Sequence, residues 1–161
     1  MPQPRLNRLS AWIGLGFWLA VTFAAAWIGS QFQPGEWYFG LTRPALTPPA
    51  WVFGPVWTLL YIMMGVAAWM VWKREGYAAA ASALWLFLLQ LVLNALWSYL
   101  FFGLKNPSLA LVDIVALWLA ILATLIAFFR HYRLAGQLLL PYILWVSFAI
   151  YLNLQFWRLN P

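Results

Sequence analysis

The chain contains no cysteine, so disulfides and thiolate metal sites are excluded. Acids are almost absent too: Glu36, Glu75 and Asp113 stand beside a single histidine, His131. Carboxylate pairs, metal clusters and Ser/His/Asp sets therefore have almost no residues from which to be built. Charged residues make up 7% of the 161, where a soluble domain carries about 25%. So little charge cannot coat a globule, and water is not the main solvent of this chain. What is abundant is apolar and aromatic: 66% of residues are hydrophobic and 13 are tryptophan. The net charge of +6 comes from nine Lys and Arg dispersed singly or in close pairs. No basic stripe runs along one helix face, so nucleic acid is not expected as a partner.

The charges fall in islands at Arg5 and Arg8, Glu36 and Arg43, Lys73 to Glu75, Lys105, Arg130 to Arg133, and Arg158. Between them lie 9–35, 44–72, 76–104, 106–129 and 134–157, all uncharged except for Asp113. About 20 apolar residues cross a bilayer as a helix. In hydrocarbon each backbone polar group must be satisfied within the chain, which selects helices. The expected fold is an all-α integral membrane protein, a single bundle of five transmembrane helices over residues 1–161. The first span is too long and too tryptophan-rich for a cleaved signal peptide and is expected to be retained. Five crossings place six Lys and Arg (Arg5, Arg8, Lys73, Arg74, Arg130, Arg133) on one side and three (Arg43, Lys105, Arg158) on the other. The positive-inside rule then puts the N-terminus in the cytoplasm and the C-terminus opposite.

The helices are expected at about 9–32, 50–72, 79–102, 107–129 and 135–157. Gly103 suits a terminator, Pro107 a first helical turn, and Pro141 a kink. The one long connection, 33–49, carries Pro34, Gly35, Gly40, Pro44, Pro48 and Pro49. Proline fixes φ and removes donors, so this loop is expected to be stiff and non-helical. It reads either as a connector with interfacial Trp37, Tyr38 and Trp51, or as a lid over a cavity between the helices.

Polar groups interrupt the third span. Gln90, Asn94, Trp97 and Phe101 are spaced 4, 3 and 4, which places them on one helix face. An unsatisfied amide in hydrocarbon costs several kcal/mol, so this face is expected to look into the bundle. Two more helices carry a matching face: Trp57 with Tyr61, and Tyr142 with Trp145 and Ala149. Two readings fit. The amides bind helix to helix, or the three faces line a pocket for a flat hydrophobic ligand, with apolar walls and a few placed polar groups. Asp113, about 9 Å along its helix, is either a functional intramembrane acid or one that snorkels or finds a hydrogen bond. His131 reads as solvated. Ala79 with Ala83, and Ala78 with Ser82, permit a close helix contact and hence a homodimer.

Three stretches, WYFGLTRPALTPPAWVFGPVWTLLY (37–61), NALWSYLFFGLKNPSLALVD (94–113) and PYILWVSFAIYLNLQFWRLN (141–160), resemble the tryptophan-rich sensory protein family, which includes the mitochondrial translocator protein or peripheral-type benzodiazepine receptor. With the five spans they cover nearly the whole chain. The resemblance implies a five-helix bundle that often dimerises and binds porphyrins such as protoporphyrin IX, with no obligatory cofactor, in a cavity under the first loop. It implies a receptor or sensor acting on tetrapyrrole metabolism or stress responses; a light-dependent porphyrin-degrading enzyme and a transporter of porphyrins or other lipophiles are the alternatives. By motif position the ligand contacts fall on Tyr61, Asn94, Trp97 and Ala149. The tryptophans implicated in porphyrin breakdown fall on Trp57 and Trp145. The full expected ligand-binding set is Trp57, Tyr61, Gln90, Asn94, Trp97, Tyr142, Trp145 and Ala149. Two departures stand out. Leu46 replaces a usual aromatic of the loop motif, and Leu154 replaces the tyrosine of the animal cholesterol motif, so sterol binding there is not implied.

Overall fold

The computed structural model describes residues 8–161, and every described element is helical. Helix α1 spans Arg8–Ser30, α2 is one turn over Glu36–Phe39, and α3 runs Ala50–Ser98. A π-helical turn over Tyr99–Gly103 continues α3, and α4 (Pro107–His131), α5 (Arg133–Leu138) and α6 (Leu140–Leu159) complete the order. Four continuous helical stretches are long and apolar enough to cross a membrane.

One of these, Ala50–Gly103, supplies two crossings. A straight α3 of 49 residues would be about 70 Å long and would hold Tyr61 and Asn94 about 50 Å apart. Instead Tyr61 hydrogen-bonds Asn94, so the chain turns back on itself. The turn is made at Gly76, with φ 74° and ψ 169°, a region essentially only glycine enters. The expected loop of 73–78 is therefore a single-residue reversal, with helix on both sides of it.

Other boundaries follow local chemistry. Asn106 caps α4 by accepting from the Leu109 N–H at 3.0 Å, with Pro107 in the first turn. Arg130 and His131 occupy its last turn, where cations complement the helix dipole. Pro141 cannot donate a backbone hydrogen bond, and the helix breaks at Leu139 to give α5 and α6. The connector 33–49 is not wholly irregular, since it contains α2.

Glycines set the α1–α3 contact. A Cβ on Gly14 would overlap the Trp72 ring, and one on Gly65 would press on Leu19 and Thr22. The Trp69 indole crosses the same seam to donate to the Ala11 carbonyl at 2.8 Å. Of the small residues expected to form an outer seam, Ala83 is fully buried, so the pair Ala79/Ala83 does not face outward together. Ala78 and Ser82 do lie on the outside. The core is built from α1 and both arms of α3 with α4, α5 and α6, from Trp18, Leu60 and Met64 through Phe87 and Ile121 to Tyr142 and Val146.

Candidate functional site: a closed polar network and an aromatic seam

Gln90 and Asn94 sit one turn apart on the second arm of α3 and are 1% and 6% exposed. Both face the bundle interior. Asn94 accepts from the Tyr61 hydroxyl and donates from Nδ2 to the Tyr142 hydroxyl at 2.9 Å. Tyr142 in turn donates to Gln90 Oε1 at 2.7 Å. Gln90 Nε2 ends the chain of bonds on Met64 Sδ at 3.8 Å. The network thus joins the two arms of α3 to α6. Its amide and hydroxyl oxygens all have a partner within the protein, and Tyr142 both donates and accepts.

The ring faces are arranged differently. Trp57 lies 5.6 Å from Tyr61 and 6.2 Å from Tyr142, centroid to centroid. Nearer the α3 start, Phe53 meets Trp145 edge-on at 5.9 Å. The first arm of α3 therefore meets α6 through interposed aromatic rings. Trp57, Tyr61, Trp145 and Ala149 are all half-buried along this seam, while Tyr142 closes it from inside.

Trp97 belongs to a second polar centre. Its indole N–H donates to Asn153 Oδ1 at 2.9 Å, and Asn153 Nδ2 donates to the Pro107 carbonyl at 2.8 Å. Its ring stacks on Phe101 at 5.0 Å. The face shared by Gln90, Asn94 and Trp97 is real, but its polar atoms serve two separate places. The extra backbone residue of the π turn changes the helical register just beyond Trp97.

The connector packs over this second centre. Tyr38 contacts Phe101, Phe102 and Phe156, and Trp37 meets Phe101. Arg43 lies 5.7 Å from the ring centres of both Tyr38 and Phe39. Burial raises the Tyr38 phenol above its ordinary pKa, with Arg43 pulling the other way, so the hydroxyl is neutral at pH 7. Asn160, past the end of α6, clasps the loop: it accepts from the Thr42 N–H at 2.8 Å and donates to the Thr42 carbonyl at 3.1 Å. Leu46 is exposed on the outside of the loop.

Asp113 is 6% exposed and does not snorkel. It shares a helix face with buried Ala110 and Leu117, and its Oδ2 has no hydrogen-bond partner among the described residues. No group of three His, Asp or Glu gathers among the described residues. Sequence reasoning passed over Asn153, although it is an amide inside an apolar helix, the signal that singled out Gln90 and Asn94. The Thr42–Asn160 clasp spans 118 positions and left no local signal.

Comparison with known proteins supplies the relatives. A family described as "TspO/MBR family" matches residues 17–158. Tryptophan-rich protein TspO of Chlorobaculum tepidum is 46% identical over 154 residues, covering 91% of this chain and 93% of that protein. The tryptophan-rich sensory protein of Cereibacter sphaeroides is 41% identical over 142 residues, 88% of each chain. The human translocator protein is 41% identical over 155 residues, covering 92% of this chain and 91% of its own length.

Proposed function

The chain belongs to the TspO/MBR family of integral, multi-pass membrane proteins, and on that footing we propose that it is a receptor or sensor for flat hydrophobic tetrapyrroles of the protoporphyrin IX kind. The observation that carries the reading is the α3–α6 seam, where aromatic rings of two helices meet edge to face. Ring-to-ring contact is directional but weak, about 0.5–1.5 kcal/mol per pair. A macrocycle that inserted between the rings would replace those contacts with larger stacked areas. Trp57 and Trp145 make none of the network's hydrogen bonds, so those two rings can turn aside without breaking it, while Tyr61 and Tyr142 stay tethered by their hydroxyls. Trp57, Tyr61, Trp145 and Ala149 are the contacts proposed for the ligand's faces. Tyr142, Asn94 and Gln90 form the rigid floor, and Trp97 bounds the loop end.

The names of the relatives speak of sensing and of translocation, and tetrapyrrole regulation with the N-terminus in the cytoplasm is the role proposed here. Ala78 and Ser82 would meet a second copy.

Titration of the purified protein with protoporphyrin IX, followed by tryptophan fluorescence, tests the reading. Saturable quenching is expected in the wild type and in Trp118→Phe, whose indole donates to Ser147 away from the seam. Trp57→Phe and Trp145→Phe are expected to bind several-fold more weakly. Equal affinity in all four proteins would move the ligand elsewhere. Illumination of the complex separates the related activities: stoichiometric quenching without new products fits a receptor. Multiple turnovers lost in Trp145→Phe would make the protein an enzyme, and uptake into proteoliposomes a transporter.

A further inference from the structure

Beside the connector lies a cleft of about 360 Å³, at the end of the bundle where α1 stops and α4 begins. Its walls include Trp37 and Phe102, and its charged lining residues are Glu36 and Lys105. Both charges are exposed, and among the described residues neither makes an ion pair or a side-chain hydrogen bond. Exposed opposite charges gain little by pairing in water, so each remains available to a ligand in the cleft. The obvious local partner for each is the other, and it is not used.

Lys105 is also held in place. Its φ is 54°, the sole positive φ of a non-glycine among the described residues. That conformation costs a lysine and would cost a glycine little. The neighbours on both sides are tied down, with the Leu104 N–H on the Tyr99 carbonyl at 2.8 Å and the Asn106 N–H on the Leu100 carbonyl at 3.1 Å. The left-handed residue lets the Asn106 N–H return to the Leu100 carbonyl and so closes the helix end, which fixes where the Lys105 side chain leaves the backbone beside the cleft.

The level of the cleft names the class of ligand. It lies where spans α1, α3 and α4 reach the membrane boundary, the zone in which Trp and aromatic rings meet lipid headgroups. A volume of about 360 Å³ is at the small end of ligand sites. It suits a headgroup better than a macrocycle. A zwitterion answers both charges, where an anion would meet Glu36 and a cation would meet Lys105. We propose that this cleft seats the headgroup of phosphatidylethanolamine, its phosphate on the Lys105 ammonium and its primary ammonium on the Glu36 carboxylate. Lysine binds phosphate as a point charge. A primary ammonium donates hydrogen bonds to a carboxylate, which the quaternary ammonium of phosphatidylcholine cannot do.

The test uses the full chain, delipidated in detergent and offered equal amounts of phosphatidylethanolamine, phosphatidylcholine and phosphatidylglycerol, with retained lipid read by native mass spectrometry. The wild type is expected to keep phosphatidylethanolamine over either competitor by about tenfold. Glu36→Gln removes that preference and shifts retention toward phosphatidylglycerol, while Lys105→Gln lowers retention of all three lipids, since each carries the phosphate. Glu36→Lys combined with Lys105→Glu restores phosphatidylethanolamine, since the zwitterion can turn around. Circular dichroism melts check that these exposed changes leave the helices unchanged. Equal retention of the three lipids, a preference that survives Glu36→Gln, or undiminished retention in Lys105→Gln overturns the proposal. So does wild-type preference for phosphatidylglycerol, which would make Lys105 a simple anion site. Displacement of the lipid by free phosphoethanolamine at equal concentration would assign the cleft to a soluble headgroup and overturn it likewise.

Discussion

Asn94 and Asp113 are each 6% exposed inside the same bundle, yet their surroundings differ. Asn94 bonds to a phenol on either side, one on the first arm of α3 and one on α6. Asp113 keeps an oxygen that meets no donor among the described residues. A satisfied buried amide joins helices, and removing it strands its partners. An orphaned buried oxygen already carries a desolvation cost, and removing it relieves that cost. Burial alone therefore says nothing about the sign of a substitution; the partners decide it. The same rule separates the two readings of the polar face. Gln90 and Asn94 bind helix to helix, and the ligand reading rests on the rings in front of them.

The largest effect is expected from Asn94→Leu. It leaves the Tyr61 and Tyr142 hydroxyls without that partner in the interior, a loss of about 2 kcal/mol or more. A thermal melt in detergent should fall by several degrees. A melt unchanged from wild type would mean the phenols find other partners, and the contrast with Asp113 would collapse.

Tyr142→Phe comes next and isolates the hydroxyl from the ring. Gln90 Oε1 loses its donor and one Asn94 N–H loses its acceptor. The expected cost is about 1–2 kcal/mol. The ring that faces Trp57 at 6.2 Å is retained, so protoporphyrin affinity should change little. Lost affinity with an unshifted melt would reassign the hydroxyl from helix joining to ligand contact.

Asp113→Leu should have the opposite sign. The side chains are similar in size and the orphan oxygen disappears, so the melting temperature is expected to hold or to rise, by the equivalent of about 1 kcal/mol. A fall as large as that of Asn94→Leu would show that the carboxyl is paired in the membrane.

Much of this arrangement could be read from residue order, for physical reasons that also mark where reading stops. With so few charges, the islands at Lys73–Glu75 and Arg130–Arg133 are visible markers of chain reversal, and both reversals occur there. Helical period sends Gln90 and Asn94 inward, because the alternative is an amide in hydrocarbon. Period cannot name an acceptor on another helix, so Tyr142 as their common partner was not legible. Gly76 was hidden for a different reason: three charged neighbours suggest a loop, while one glycine with φ 74° does the whole turn. The π turn after Ser98 leaves the apolar pattern unbroken and so gave no signal, and Trp97, about a turn past Asn94 on the same face, reaches Asn153 instead of the network. Asn160 meets Thr42 only because both lie at one end of the finished bundle.

Asn160→Ala sharpens the contrast from the solvent side and is expected to have the smallest effect on the melt. The two bonds to Thr42 are exposed, so water replaces them at a net cost of about 0.5–1 kcal/mol each or less. The change should be local. Tyr38 still packs on Phe101, Phe102 and Phe156, which holds the first half of the connector, while residues 41–49 lose their tie to α6. Hydrogen exchange should therefore quicken at the Thr42 amide and its neighbours and stay unchanged at Trp37 and Tyr38. Uniform quickening through 33–49 would mean that the clasp, and not the aromatic packing, keeps the connector on the bundle.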